Sequence, residues 1–141
     1  MPRVAVVDTN VLVGGLLTRT PSSPLVTIVD GMLSGRFPFA LSPSLLDEYR
    51  RVLLRDKIRS LHGLSGDEID RILVELVANA IWHEPAPVAS AAAPDPGDDH
   101  LWRLLNTLDA GVLVTGDQLL LDNPPDTASV LSPRSFVDSV L

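Results

Sequence analysis

Short apolar runs and helically spaced apolar positions alternate along the 141 residues of this chain. Residues 3–7 end in Val4-Ala5-Val6-Val7, a near-continuous β-branched run that suits a strand covered on both faces, and Asp8 closes it. Residues 12–17 suggest a short helix. From Pro24, apolar residues recur at Leu25, Ile28, Val29, Met32 and Leu33, a helical spacing that Gly35 stops. Residues 37–41 form a second strand candidate. Ser42-Pro43 then opens a helix, with serine as N-cap and proline in the first turn, carrying Leu45, Leu46, Tyr49, Val52 and Leu53 on one face. Ser65-Gly66-Asp67-Glu68 reads as a capping box ahead of Ile69, Ile72, Leu73, Leu76 and Val77. Residues 80–83 are a weak third strand, and residues 85–96, rich in Ala and Pro, read as a loop. Asp98 opens a helix through Leu101, Leu104, Leu105 and Leu108, with Gly111 as its stop. Residues 112–115 are the clearest interior strand, Asp117 starts a short helix, Ser129–Leu131 is a last strand, and Ser132-Pro133 caps a final helix.

The order β-α-α-β-α-α-β-α-β-α-β-α predicts an α/β fold with a mostly parallel sheet, right-handed crossovers and helices on both sides. One domain spanning residues 1–141 is expected, because two halves would each be too small to bury a good core. Composition agrees: 45% of residues are hydrophobic and 21% charged, as in a globular chain. No apolar run approaches the roughly 20 residues of a membrane span, and Met-Pro-Arg leads into the first strand without a leader-cleavage pattern. With no cysteine, disulfides and thiolate metal sites are excluded. These features set the expectation of a cytoplasmic protein that does not enter membranes. The net charge of −7 argues against a broad basic nucleic-acid surface, but not against an acidic pocket filled by Mg²⁺ or Mn²⁺.

In open parallel sheets, sites form beyond the carboxyl ends of the strands. Here an acid stands there repeatedly: Asp8 after the first strand, Asp95 and Asp98 after the third, and Asp117 after the strand at 112–115. Glu48 lies in the helix after the second strand, at the edge of its apolar face, where it can point back to the same cleft. Carboxylates gathered this way raise one another's pKa, and a hard divalent cation relieves the repulsion. Such a cation can polarise a phosphoryl oxygen and supply hydroxide. Taken singly, Asp8, Asp98 and Asp117 are each better explained as helix N-caps, and Glu48 as a solvated helix residue. The recurrence at one sheet end is what favours a site.

Four ordered segments resemble the PIN-domain family: Val6-Val7-Asp8-Thr9-Asn10-Val11-Leu12-Val13, Ser44-Leu45-Leu46-Asp47-Glu48-Tyr49, Asp95-Pro96-Gly97-Asp98-Asp99 and Leu113-Val114-Thr115-Gly116-Asp117. The resemblance runs from Val4 to the Ser132-Pro133-Arg134-Ser135-Phe136 close, and is nearest to the VapC-like bacterial toxins of toxin–antitoxin pairs. It implies a Rossmann-like three-layer sandwich and a Mg²⁺- or Mn²⁺-dependent endoribonuclease that hydrolyses RNA. It assigns Asp8, Glu48, Asp98 and Asp117 to the acidic quartet, with Asp8, Asp98 and Asp117 as metal ligands. Asn10 and Thr115 match supporting polar residues, Asp95 an additional acid, and Asp99 a substitute for Asp98 if the loop shifts register. An antitoxin partner would follow from the toxin role.

Arg50, Arg51, Arg55, Lys57 and Arg59 form a local basic run just after Glu48. Arg50, Arg51 and Arg55 are candidates to steer RNA toward the acids, although a solvated helix face explains the run equally well. His62, His83 and His100 are scattered, and His100 is expected to be solvent-exposed. Trp82 and Trp102 are expected in core or interface packing. A mean hydropathy of +0.24 is compatible with a homo-oligomer or an antitoxin covering apolar surface.

Other chemistries fit poorly. A receiver domain wants a lysine after a late strand, yet the sole lysine is Lys57; a haloacid-dehalogenase-type phosphatase wants an acid where Asn10 stands; and a dinucleotide site wants a glycine-rich turn where Asp8-Thr9-Asn10 stands. The alternative from another class is a non-catalytic module of the same fold that binds RNA or protein.

Overall fold

The computed structural model describes residues 3–84, 93–126 and 128–141. Its elements, in chain order, are β1 (Val4–Val7), α1 (Thr9–Leu17), α2 (Pro24–Leu33), β2 (Ala40–Leu41), α3 (Pro43–Leu53), α4 (Asp56–His62) and α5 (Gly66–Asn79). Then come β3 (Ile81–Trp82), a 3₁₀ turn (Pro96–Asp98), α6 (Asp99–Asn106), β4 (Gly111–Val114), α7 (Gln118–Asp122), β5 (Ser129–Leu131) and α8 (Pro133–Ser139).

Every strand pairing among the described residues is parallel. β4 lies between β1 and β5, and β2 pairs with β3. A bridge between Ala5 and Phe39 joins the two groups, so the strands run β3-β2-β1-β4-β5. The strand order thus reverses between β1 and β4, the place where open parallel sheets leave a crevice. Register sets Val7 beside Val114, and the Asp8 amide donates to the Val114 carbonyl at 2.9 Å. The residues just beyond β1 therefore meet those just beyond β4.

Both central strands are buried on both faces, as their β-branched sequences require. Helices cover them through apolar stripes: Ile28, Val29 and Met32 from α2; Leu45, Tyr49 and Leu53 from α3; Ile69, Leu73 and Leu76 from α5; Leu101, Trp102, Leu104 and Leu105 from α6. Burial of each large side chain contributes about 1.5–3 kcal/mol. Sequence caps these helices as expected: Ser42 Oγ accepts from the Leu45 amide, and Ser65 and Glu68 form a complete capping box. Gly35 ends α2 with φ +68°, a conformation costly for any residue with a Cβ.

Some expectations shift. Helix α1 begins at Thr9 rather than Leu12, because Asp8 supplies its cap. Strand β2 keeps only Ala40–Leu41, with Phe39 contributing a single bridge. The run expected as a helix from Asp98 to Gly111 is a 3₁₀ turn leading into α6, which ends at Asn106. Gly111 opens β4 instead; a Cβ there would press on Leu105 and Leu108 at 3.2–3.3 Å. Helix α4 has no counterpart among the elements that the pattern predicts. Of the two placements expected for the tryptophans, core or interface, Trp102 takes the core, and Trp82 lies outside the core, exposed on β3. Residues 85–92 of the expected loop lie outside the described residues. Among the described residues, no helix is long and apolar enough to cross a membrane.

Candidate active site

The acids expected at the sheet end arrive by different routes. Asp8 is 5% exposed at the end of β1. Its Oδ1 accepts from the Thr9 amide at 2.8 Å, and its Oδ2 accepts from the Thr115 hydroxyl at 2.8 Å and from Asn10 Nδ2 at 3.1 Å. Asn10 in turn accepts at Oδ1 from the Gly116 amide at 3.1 Å. The expected supporting residues, Asn10 and Thr115, therefore tie the β1 and β4 ends together around Asp8. Burial raises the Asp8 pKa most, with Glu48 adding to the rise, and the bonds from Thr115 and Thr9 work against it.

Thr115 serves both strands, since its hydroxyl oxygen also accepts from the Asp117 amide at 3.0 Å. Asp117 then caps α7, with Oδ1 accepting from the Leu119 amide at 3.0 Å. Asp8 and Asp117 thus do the structural work that a capping role predicts. Asp98 does not. It precedes α6 without any side-chain capping bond. Its pKa is pushed up to about 6, first by burial and then by Asp8, Asp95, Glu48 and Asp117. Five carboxylates from four parts of the chain therefore share one electrostatic neighbourhood.

Glu48 reaches that neighbourhood from α3. Its Oε2 accepts from the Thr9 hydroxyl at 2.5 Å, and His100 Nε2 approaches the same oxygen at 3.6 Å. Arg51 lies at 3.9 Å from Oε1, too far for a strong pair. His100 chiefly, with Thr9 and Arg51, holds the Glu48 pKa below its ordinary value despite burial. His100 is thus not solvent-exposed: its side chain is 14% accessible, and its buried Nδ1 has no hydrogen-bond partner among the described residues. Sequence reasoning misses Thr9 and His100. The position of Thr9 beside Asp8 is a usable signal, but the rotation that turns His100 inward has no sequence signature.

The remaining candidates separate. Asp95 accepts at Oδ1 from the Gly97 amide at 2.9 Å, shaping the turn that carries Asp98. Asp99 Oδ1 accepts from the Ala93 amide at 2.9 Å, an anchor for the chain entering that turn. Arg50 pairs with Asp70 across α3 and α5 at 3.0 Å and is half exposed.

A hard divalent cation suits this donor set, because it is all carboxylate and hydroxyl oxygen and its acids repel one another strongly enough to lift Asp98. Among the described residues, no three acids or histidines stand close enough to form a ready-made cage.

Residues 4–119 match the family model described as PIN domain. Among solved structures, the PIN domain of T. brucei RRP44 aligns with a TM-score of 0.50 at 14% identity, covering 98% of this chain and 80% of that one. No curated protein matches the chain. At such low identity the structural likeness speaks for the fold, and the family model, spanning most of the sequence, carries the assignment: the chain belongs to the PIN-domain family, whose members are generally nucleases using divalent metal ions.

Proposed function

We propose that the protein is a Mg²⁺- or Mn²⁺-dependent endoribonuclease whose working acids are Asp8, Glu48, Asp98 and Asp117. The observation that carries this reading is Asp98. It makes no capping bond, yet it sits in the field of Asp8, Asp95, Glu48 and Asp117, which together with burial lifts its pKa to about 6. A carboxyl kept in such company without structural return is the mark of a functional group.

In this reading Asp8, Asp98 and Asp117 would hold the cation, which when bound would supply Lewis-acid polarisation to the scissile phosphate of the RNA. The protein does the positioning. Thr115 and Asn10 fix the Asp8 carboxylate and the turn to Asp117. Thr9 and His100 fix the Glu48 side chain and keep it in its charged form. Asp95 supports the Asp98 turn, and Asp99 anchors its entry rather than replacing Asp98. Arg51 and Arg55, with Arg50, lie after Glu48 in sequence and would draw the RNA backbone toward the acids.

The motifs resemble those of VapC-like toxins, and on that ground the physiological role proposed is the toxin of a toxin–antitoxin pair acting in the cytoplasm, with a cognate antitoxin as partner. The absence of a preformed cage among the described residues favours a second reading, a PIN-like module that binds RNA or protein without cutting.

Cleavage of a labelled single-stranded RNA with Mn²⁺ separates the two. The wild type should cut, and Asp98→Asn should lose at least about a hundredfold in rate, the scale of removing a group that stabilises transition-state charge. Equal residual cleavage by both proteins would assign the activity to a contaminant.

A further inference from the structure

Between β1 and β2 the sheet comes apart, and a tyrosine hydroxyl occupies the opening. Backbone polar groups alternate sides along a strand. The Val4 and Asp8 amides face β4, donating to Ala110 and Val114, whereas the Ala5 amide faces β2 and donates to Pro38 at 3.0 Å. Val7, two residues beyond Ala5, therefore also faces the β2 side. Pairing with β2 stops at the Ala5–Phe39 bridge, so no strand answers the Val7 carbonyl there. The fully buried Tyr49 hydroxyl donates to it instead.

This bond lies at the seam of the site. Val7 immediately precedes Asp8, and Tyr49 comes immediately after Glu48. A second tie crosses the same seam one step outward, from the Thr9 hydroxyl to Glu48 Oε2. The hydroxyl stays protonated, since burial and the nearby Asp8 and Glu48 charges all push its pKa up, so it remains a donor throughout. A phenylalanine would satisfy the apolar stripe of α3 equally well. What the hydroxyl adds is a fixed link between the strand end carrying Asp8 and the helix carrying Glu48.

We propose that Tyr49 is a positioning residue of the acidic cleft, its bond to the Val7 carbonyl holding Asp8 and Glu48 at the separation the cation and the RNA require. The proposal rests on the nuclease reading above. Tyr49 touches neither metal nor substrate and acts through the backbone of Val7 and through α3.

The test compares wild type and Tyr49→Phe for Mn²⁺ affinity by calorimetry, for RNA cleavage, and for thermal unfolding in EDTA. The expected result is a Mn²⁺ Kd weakened about three- to tenfold and kcat lowered about tenfold, with KM for RNA changed less than about twofold. Wild-type Mn²⁺ affinity and kcat in a variant that has merely lost thermal stability would reduce Tyr49 to a core residue and overturn the proposal. A wild type that itself binds no Mn²⁺ and cuts no RNA would overturn the nuclease reading, and the positioning role with it. Should Tyr49→Phe fail to fold, the chain offers a direct label, because Tyr49 is its only tyrosine. With 3-fluorotyrosine incorporated, the single ¹⁹F resonance should move on Mg²⁺ addition and saturate with the Mg²⁺ affinity measured by calorimetry on the same protein. A resonance indifferent to saturating Mg²⁺ would sink the idea.

Discussion

Asp98 competes with four other acids for negative charge, and the competition has a definite sign in pH. In the folded chain its carboxyl titrates at about 6, against an ordinary 3.8, so between these values the folded state holds the extra proton. The stabilisation from this group is therefore complete below the lower value and is lost as pH rises through the upper one. Asp8, also raised, acts in the same direction. Glu48, lowered, acts in the opposite one: its contribution is present above its unfolded pKa and disappears as pH falls through the folded value. The full Asp98 shift corresponds to roughly 3 kcal/mol, which solvent screening of a partly exposed carboxyl cuts to about 1 kcal/mol. Asp98→Asn, measured without metal, should accordingly gain in Tm relative to wild type by about 3 °C between about pH 4 and about pH 7. A difference that stays flat across that range would show that neither burial nor the other acids raise the Asp98 pKa. At this scale the sequence is legible where a residue's neighbours are set by strand register, as for Asp8, Asn10 and Thr115. It is opaque where the partner depends on helix rotation, as for Glu48 with His100.

Elements are legible in proportion to how much apolar surface they bury. Helices α2, α3, α5 and α6 each present a spaced apolar stripe, and each lies within a few residues of its expected bounds. Helix α4 buries no residue, and Leu61 on it is 60% exposed, so it leaves no stripe to read; its basic residues read only as a charged face. The contact between α1 and α2 is equally hidden, because it is made by an absence of side chain. A Cβ on Gly15 would stand 2.3 Å from Val29 Cγ2 and 2.7 Å from the Leu25 carbonyl oxygen. Alanine at this helical site would gain about 1 kcal/mol of propensity, but overpacking against a backbone oxygen that cannot turn aside costs about 1–3 kcal/mol or more. The clash should win. Gly15→Ala is expected to lower Tm by several degrees, and because α1 begins at the Asp8 cap, to weaken Mn²⁺ binding as well. Gly66, at the start of α5, is the control, because a Cβ there would have no atom within 4 Å. Gly66→Ala should leave Tm unchanged or slightly raised. Thermal unfolding of the pair decides the matter, and equal behaviour of the two variants would mean that α1 and α2 do not approach as closely as the backbone indicates.

Across the whole molecule, the net charge of −7 and the convergence of acids at one sheet end set a problem for any polyanionic substrate. Bulk electrostatics repel RNA, so binding must rest on the cation in the cleft and on local positive charge. The arginines after Glu48 are the local supply, but they are not equally available. Arg50 is engaged with Asp70, and Arg51 is only loosely associated with Glu48 at 3.9 Å. Arg55, at the start of α4, has no ion pair among the described residues within 4.0 Å. If Arg51 and Arg55, with some help from Arg50, meet about two or three phosphates, the affinity for single-stranded RNA should fall with salt at a log–log slope of roughly −1.5 to −2. That is shallow beside a protein with a basic surface. Arg51→Glu combined with Arg55→Glu should weaken binding at low salt by at least about tenfold and flatten the slope toward zero, with Tm nearly unchanged because both sites lie at the surface. The measurement is best made in the Asp98→Asn background, where RNA is bound without being cut. A slope and affinity identical to those of the parent would remove the arginine run from the substrate path and leave the acids and their cation as the whole of the recognition.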